Sequence, residues 1–174
     1  MRLTVLTAVS LLVVFFLAAS SVSAQSRDPY FTTFSANYDF VYHEFDETSN
    51  LGAHFDIAST IVREVPFLVL AGEVGVNHFN GATVSSVLGG ARLRLPNAGP
   101  RVLPFVQFLL GVYHCGPCDI NDFAIQGGGG VDVKLARNND VRIRGQLDVR
   151  HMFDSFDGFN AVRLSAGIVI PLNR

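Results

Sequence analysis

Lysine is almost missing from this chain: of thirteen basic residues in 174, only Lys134 is a lysine and the rest are arginine. Arginine suits buried, bidentate pairing and lysine suits a solvated surface, so the composition favours a charged interior over a water-facing shell. Long apolar runs are also missing after residue 24. There Asp, Arg, Gln or Glu interrupts every hydrophobic stretch before it reaches the roughly 18 to 20 residues of a spanning helix. A chain of this kind that crosses a membrane must cross it as strands. Net charge is only −2, with no block of one sign. That balance implies no nucleic-acid partner.

The N-terminus is different. Arg2 precedes an apolar run over residues 3–19, and Ser20, Ser21, Val22, Ser23 and Ala24 follow. This order reads as the charged, apolar and small-residue regions of a secretory leader. Residues 1–24 are expected to be a signal peptide cleaved before Gln25. Because residue 25 is not cysteine, a lipoprotein anchor is not expected. A short lead-in over 25–33 and one domain over 34–174 complete the expected organisation.

Within 34–174 the dominant signal is alternation at period 2, which puts successive side chains on opposite faces of a strand. It is clearest where Arg142, Arg144, Gln146, Asp148 and Arg150 alternate with Val141, Ile143, Gly145, Leu147 and Val149. The same reading predicts strands over 34–42, 51–61, 67–77, 83–95, 103–113, 123–135, 141–150 and 160–172. The fifth has Gln107 as its only strongly polar residue, which makes it the hardest to set in register.

Eight such strands behind a leader indicate an all-β, eight-stranded antiparallel up-and-down transmembrane barrel in a bacterial outer membrane. The connections over 43–50, 78–82, 114–122 and 151–159 read as longer than those over 63–66, 96–101 and 136–140. Long loops face outward in this class and short turns face the periplasm, so both termini are expected on the periplasmic side.

Alternation does not say which face is inside, but charge does. The polar face gathers Asp39, Asp56, Glu73, Asp132 and Asp148 with Arg92, Arg94, Lys134, Arg142, Arg144, Arg150 and Arg163. One lipid-facing cation at the bilayer midplane costs about 2–4 kcal/mol, so seven are prohibitive and the set must point inward. Eight strands enclose only enough room for side chains. The expected interior is an ionic plug, with no open pore. A soluble secreted barrel with apolar residues inside, binding a small apolar ligand, is the alternative reading.

The chain resembles the small outer-membrane β-barrel family, the OmpA-like and OmpX-like eight-stranded proteins. The likeness is carried by Phe105-Val106-Gln107-Phe108-Leu109-Leu110-Gly111, by the stretch 127–132, and by Val162-Arg163-Leu164-Ser165-Ala166-Gly167-Ile168-Val169-Ile170. It implies outer-membrane lipid and the barrel-assembly machinery as partners and a monomer; members of this size include structural, adhesive and lipid-modifying proteins, and the expectation for this chain is a structural or surface-interaction role without cofactor or catalytic site. Such families commonly close the last strand on an aromatic residue, whereas this chain closes on Pro171-Leu172-Asn173-Arg174. A peptidoglycan-binding domain of the OmpA kind is not expected after the barrel.

Four features could carry chemistry. Cys115-Gly116-Pro117-Cys118 has the spacing of a thioredoxin-like redox site, but a strand follows where that motif needs a helix. A disulfide clipping the loop tip is the expectation for an exported protein. Glycines 127–130 precede neither Lys-Ser nor Lys-Thr, so a phosphate loop is not expected, and close approach of a neighbour is. His43, His54, His78, His114 and His151 fall at or just below the outer strand ends. Glu44, Asp46, Glu47, Asp119, Asp122, Asp154 and Asp157 lie around them without Lys or Arg. That rim makes His43, His78, His114 and His151 candidate metal ligands, although no fixed ligand spacing such as His-x-x-x-His supports a site. Some related barrels deacylate lipid A with Ser, His and Glu; here Ser155 is four positions from His151, without their His-x-Ser spacing, and an enzyme is not expected.

Overall fold

The computed structural model describes residues 32–43, 49–61, 65–79, 82–95, 101–116, 120–136, 139–153 and 158–172. The expected leader over 1–24 lies outside them. Eight strands run in chain order: β1 (Thr32–His43), β2 (Ser49–Thr60), β3 (Leu68–Phe79), β4 (Ala82–Arg94), β5 (Val102–Cys115), β6 (Ile120–Ala136), β7 (Asn139–Phe153) and β8 (Phe159–Pro171). Each pairs antiparallel with its neighbours, and β8 closes on β1. Every strand falls where the alternation places it. Most extend by one to three residues at an end, because ladder bonds continue past the point where the apolar pattern fades.

The register fixes the shape. From Thr33 the ladder passes through Ala58, Ala71, Gly90, Leu109, Gln126, Arg150 and Ala161 and returns to β1 at His43, ten residues further along. A stagger of that size belongs to strands tilted by about 35–45° from the barrel axis.

Polarity is inverted relative to a water-soluble protein. Phe55 is 53 % exposed and Leu70 56 %, whereas Arg144 and Glu73 are each 1 % exposed. Leu70, Phe108, Leu147 and Leu164 point outward, and Glu73, Arg92, Gln107, Asp132, Arg144 and Arg163 inward. The fifth strand is set by Gln107: its inward positions are Phe105, Leu109 and Tyr113.

The expected contrast in loop length is not there. Residues 44–48, 80–81, 116–119 and 154–158 join strands at one end, and residues 61–67, 95–101 and 137–138 at the other. All four supposed long loops lose residues to longer strands, because ladder pairing runs through Tyr42↔Ser49, Phe79↔Ala82, Cys115↔Ile120 and Met152↔Phe159. Length therefore does not orient the barrel.

Candidate functional site: an ionic plug in the barrel lumen

Asp56 on β2 and Glu73 on β3 are register partners, so the two carboxylates stand side by side on the inner wall. Opposite them, four arginines on β4, β7 and β8 obey a common rule. Each bonds its own register partner on an adjacent strand and also reaches one of the two carboxylates across the lumen.

Arg92 donates through Nε and Nη2 to Gln107 Oε1 at 3.0 and 2.7 Å, and through Nη1 to Asp56 Oδ1 at 3.0 Å. Arg144 holds Asp132 bidentately at 2.7 and 2.9 Å and reaches Asp56 Oδ2 at 2.6 Å. On the Glu73 side, Arg150 donates to Gln126 Oε1 at 2.9 and 2.7 Å and to Glu73 Oε1 at 3.0 Å. Arg163 donates to Asp148 Oδ2 at 3.1 and 2.8 Å, to Glu73 Oε1 at 2.6 Å and to Glu73 Oε2 at 2.8 Å.

Amides and hydroxyls fill the gaps between these pairs. Gln107 Nε2 donates to Asp148 at 3.2 Å, Gln146 Nε2 to Asp148 at 2.7 Å and Gln126 Nε2 to Glu73 at 3.2 Å. Ser35 donates to Asp56 and receives a bond from Asn37 at 2.8 Å. Buried ion pairs recover their desolvation cost only when geometry is good and the remaining lone pairs are bonded; the carboxylates here meet both conditions, while Gln146 Oε1 and Asn37 Oδ1 are buried without a hydrogen-bond partner among the described residues.

Two glycines make room for it. A Cβ on Gly128 would run into Asp148, and one on Gly130 would sit 2.8 Å from Phe105 Cζ. The ring of Phe105 lies against two guanidiniums, with Arg92 Cζ 4.6 Å and Arg144 Cζ 4.7 Å from its centroid. Two arginines thus share one aromatic face-binding partner, a cation–π arrangement strengthened by exclusion of water. The four-glycine run supplies space at inward positions, as its place inside a strand suggests.

Towards the end carrying residues 44–48 and 80–81, the lumen closes on apolar side chains: Val41, Leu88, Leu109, Tyr113, Ala124, Met152 and Ala161. A cavity of about 20 Å³ remains there, lined in part by Val41, Met152, Arg150 and Arg163, with room for about one water.

The predicted lumen charges are not all buried to the same extent. Arg94, Lys134 and Arg142 are only partly buried, at the end of the barrel carrying the termini. Lys134 Nζ bonds Asp140 there at 2.7 Å. Those strand ends lie beyond the sealed interior, so period-2 placement on the inner face does not guarantee burial. Sequence reasoning missed Phe105, whose apolar character hides its membership in an ionic cluster. Counting back two residues from Gln107 would have placed it inward.

The histidines separate into two groups. His54 is fully buried, with Nδ1 2.8 Å from Asp39 Oδ1 and Nε2 3.9 Å from Glu73 Oε2. Arg163 also lies 3.7 Å from Asp39, so all five predicted inner carboxylates, Asp39, Asp56, Glu73, Asp132 and Asp148, contact a cation or imidazole. His78, His114 and His151 occupy outward positions on three different hairpins, bonded to Thr83, Asn121 and Asn160. They do not converge on one metal, and no cluster of three ligating side chains occurs among the described residues. Of the carboxylates expected in the rim, Asp122 lies in β6 and accepts a bond from Tyr113 at 3.3 Å. The other six lie outside the described residues, as does the side chain of His43. Cys115 is disulfide-bonded, and Cys118, the only other cysteine, lies outside them too.

No family model matches the chain, and no curated protein matches it significantly. Solved structures do. The crystal structure of Neisserial surface protein A aligns with a TM-score of 0.63 at 12 % identity, over 84 % of this chain and 99 % of that one. The outer membrane enzyme PagL gives 0.52 at 11 % identity, over 79 % and 99 %. The outer membrane protein Ail of Yersinia pestis, in a phospholipid bilayer nanodisc, gives 0.50 at 12 % identity, over 81 % and 99 %. With its closed ring of eight antiparallel strands, this chain has the fold of the small eight-stranded outer-membrane β-barrels.

Proposed function

We propose that the protein is an integral outer-membrane barrel with a structural or surface-interaction role, closed to diffusion and without a catalytic site. The observation that carries this reading is the inversion of polarity: guanidiniums and carboxylates fill the lumen while an apolar surface faces out. In water such a molecule would expose a continuous apolar belt far larger than soluble monomers tolerate. In a bilayer the same belt is solvated by acyl chains, and the strands pair with one another around the closed ring, leaving no open sheet edge. A soluble barrel holding an apolar ligand needs the opposite arrangement, with an apolar and roomy interior.

Fold does not choose among roles, since the similar structures include both an enzyme and proteins not described as enzymes. The described histidines bond Asp39, Thr83, Asn121 and Asn160; of these partners only Thr83 offers a hydroxyl, 3.5 Å from His78 Nδ1, and among the described residues no carboxylate orients that imidazole as a triad needs. The test combines membrane fractionation with heat-modifiable gel migration. Recovery in the outer-membrane fraction, with a folded band converted by boiling, is the expected result; a soluble periplasmic or secreted protein would overturn the reading. Unchanged lipid A mass spectra on expression are expected as well, and planar bilayers should show no steady conductance.

A further inference from the structure

His78 on β3, His114 on β5 and His151 on β7 are placed alike in three successive hairpins. Each faces outward, and each has its Nδ1 near an oxygen of its register partner: Thr83 Oγ1 at 3.5 Å, Asn121 Oδ1 at 2.9 Å and Asn160 Oδ1 at 2.9 Å. The first hairpin puts Tyr42 opposite Ser49 at the corresponding place. Around the barrel, a stagger of ten residues over eight strands lowers the level by a little over one residue per strand. Applied to the register, this brings Tyr42, His78, His114 and His151 to the same height within about one residue.

Below each histidine the outward positions carry no charge. They are Leu68, Leu70, Gly72, Val74 and Val76 on β3; Pro104, Val106, Phe108, Leu110 and Val112 on β5; and Val141, Ile143, Gly145, Leu147 and Val149 on β7. Ten residues of tilted strand rise about 25 Å along the axis, which matches the height of an outer-membrane apolar belt. The histidines therefore stand at the belt's edge, where lipid headgroups begin. Asn Oδ1 only accepts, so the Nδ1 of His114 and of His151 carries the proton, and no hydrogen bond engages Nε2 of any of the three among the described residues. Lys and Arg are absent from 43–50, 78–82, 114–122 and 151–159, so at this end imidazole is the only side chain able to become cationic.

We propose that this level ring of histidines binds the phosphates of lipid headgroups, with Nε2 as the donor once the ring is protonated. The inference rests on the membrane reading above. Imidazole changes charge between pH 5 and 8, so the contact is conditional: strong in acid and weak in alkali. The facing groups on the packed strands do not titrate: Leu51 and Thr83 flank His78, Ser85 and Asn121 flank His114, and Ile125 and Asn160 flank His151. Phe153 packs edge-on against His151 at 4.5 Å, which holds that ring in place without adding charge.

The experiment folds the full chain, and an H78Q/H114Q/H151Q variant that keeps polar side chains, into two kinds of vesicle. One is phosphatidylglycerol and the other is the phosphate-free digalactosyl diacylglycerol. The midpoint of heat-modifiable unfolding is read at pH 5.5 and pH 8. In phosphatidylglycerol the parent should gain on the order of 5 °C at the lower pH, and the variant should lose that gain. In phosphate-free vesicles parent and variant should respond to pH alike, since His54 and the lumen carboxylates are common to both. Nitrogen-15 to phosphorus-31 dephasing should appear at Nε2 at pH 5.5 only. An equal pH response of parent and variant in phosphatidylglycerol, a parent-specific gain in phosphate-free lipid, or no dephasing at either pH overturns the proposal while leaving the membrane reading intact. Failure to insert into either vesicle removes both.

Discussion

Arg163 on β8 donates to Glu73 on β3 across the width of the barrel, at 2.6 and 2.8 Å, although the two residues are 90 positions apart in the chain. Glu73 also accepts from Arg150 and Gln126, so one carboxylate ties four strands together. Replacing it with alanine leaves two buried guanidiniums short of an acceptor. Breaking a buried pair from one side costs about 3–5 kcal/mol. Urea unfolding of Glu73→Ala in vesicles should show a loss of that order, and a loss below about 1 kcal/mol would mean the network is not the stabilising element.

Phe105 is expected to contribute through its face as well as its volume. Phe105→Leu keeps an apolar side chain but removes the surface on which Arg92 and Arg144 rest. At about 0.5–2 kcal/mol for each of the two desolvated contacts, the variant should lose about 1–4 kcal/mol. Measuring Phe105→Leu beside an Arg92→Gln cycle separates the stacking contribution from packing.

Glycine positions on β6 should differ sharply from one another. Gly130→Ala forces the new methyl against Phe105 and the backbone of β7, with a cost of about 1–3 kcal/mol. By contrast, Gly127 has nothing within 4 Å of an added Cβ, so Gly127→Ala should be neutral within about 0.5 kcal/mol. Thermal conversion of the folded band compares the two directly.

Depth should govern the cost of a charge on the outer surface. Leu147→Arg, near the middle of the belt, is expected to cost about 2–4 kcal/mol in bilayer folding equilibria. Leu93→Arg, paired with Leu68 at the rim, should cost about 0–1 kcal/mol. Equal costs at the two positions would contradict a membrane-spanning belt.

The disulfide at Cys115 should matter little to the barrel. With Cys118 as its only available partner, the bond closes a short ring and removes little unfolded-chain entropy. Thiol titration without reductant should find no free thiol. A double serine variant should keep the parent's unfolding midpoint within a few degrees.

Much of this architecture was legible in the residue order, because period-2 alternation is a direct readout of which face each side chain takes. Arg144 and Leu147 were assignable to opposite faces without coordinates, and so were Glu73 and Leu70. Partners across the lumen were not. That Asp56 would meet Arg92 and Arg144, or Glu73 meet Arg150 and Arg163, depends on the stagger of the closed sheet, and no single strand encodes it. Loop lengths misled for a related reason: residues such as Phe79 and Ala82 read as loop by composition, yet neighbouring ladders hold them in strands. The histidines at 78, 114 and 151 read as a rim spread over three connections, and only the register reveals that each lies within a strand and faces outward, away from the others.

Closure also has an order in time. In the plug Arg144, Arg150 and Arg163 each need an acceptor from β2 or β3, strands that join the chain's last elements only when β8 meets β1. An open sheet of these eight strands would leave Glu73 without either of its arginines, and Arg144, Arg150 and Arg163 without their acceptors on β2 and β3. Hydrocarbon would not tolerate that surface. Insertion and sealing of the seam must therefore proceed together, and a variant that slows the β1–β8 pairing should accumulate at the membrane surface instead of partway through it.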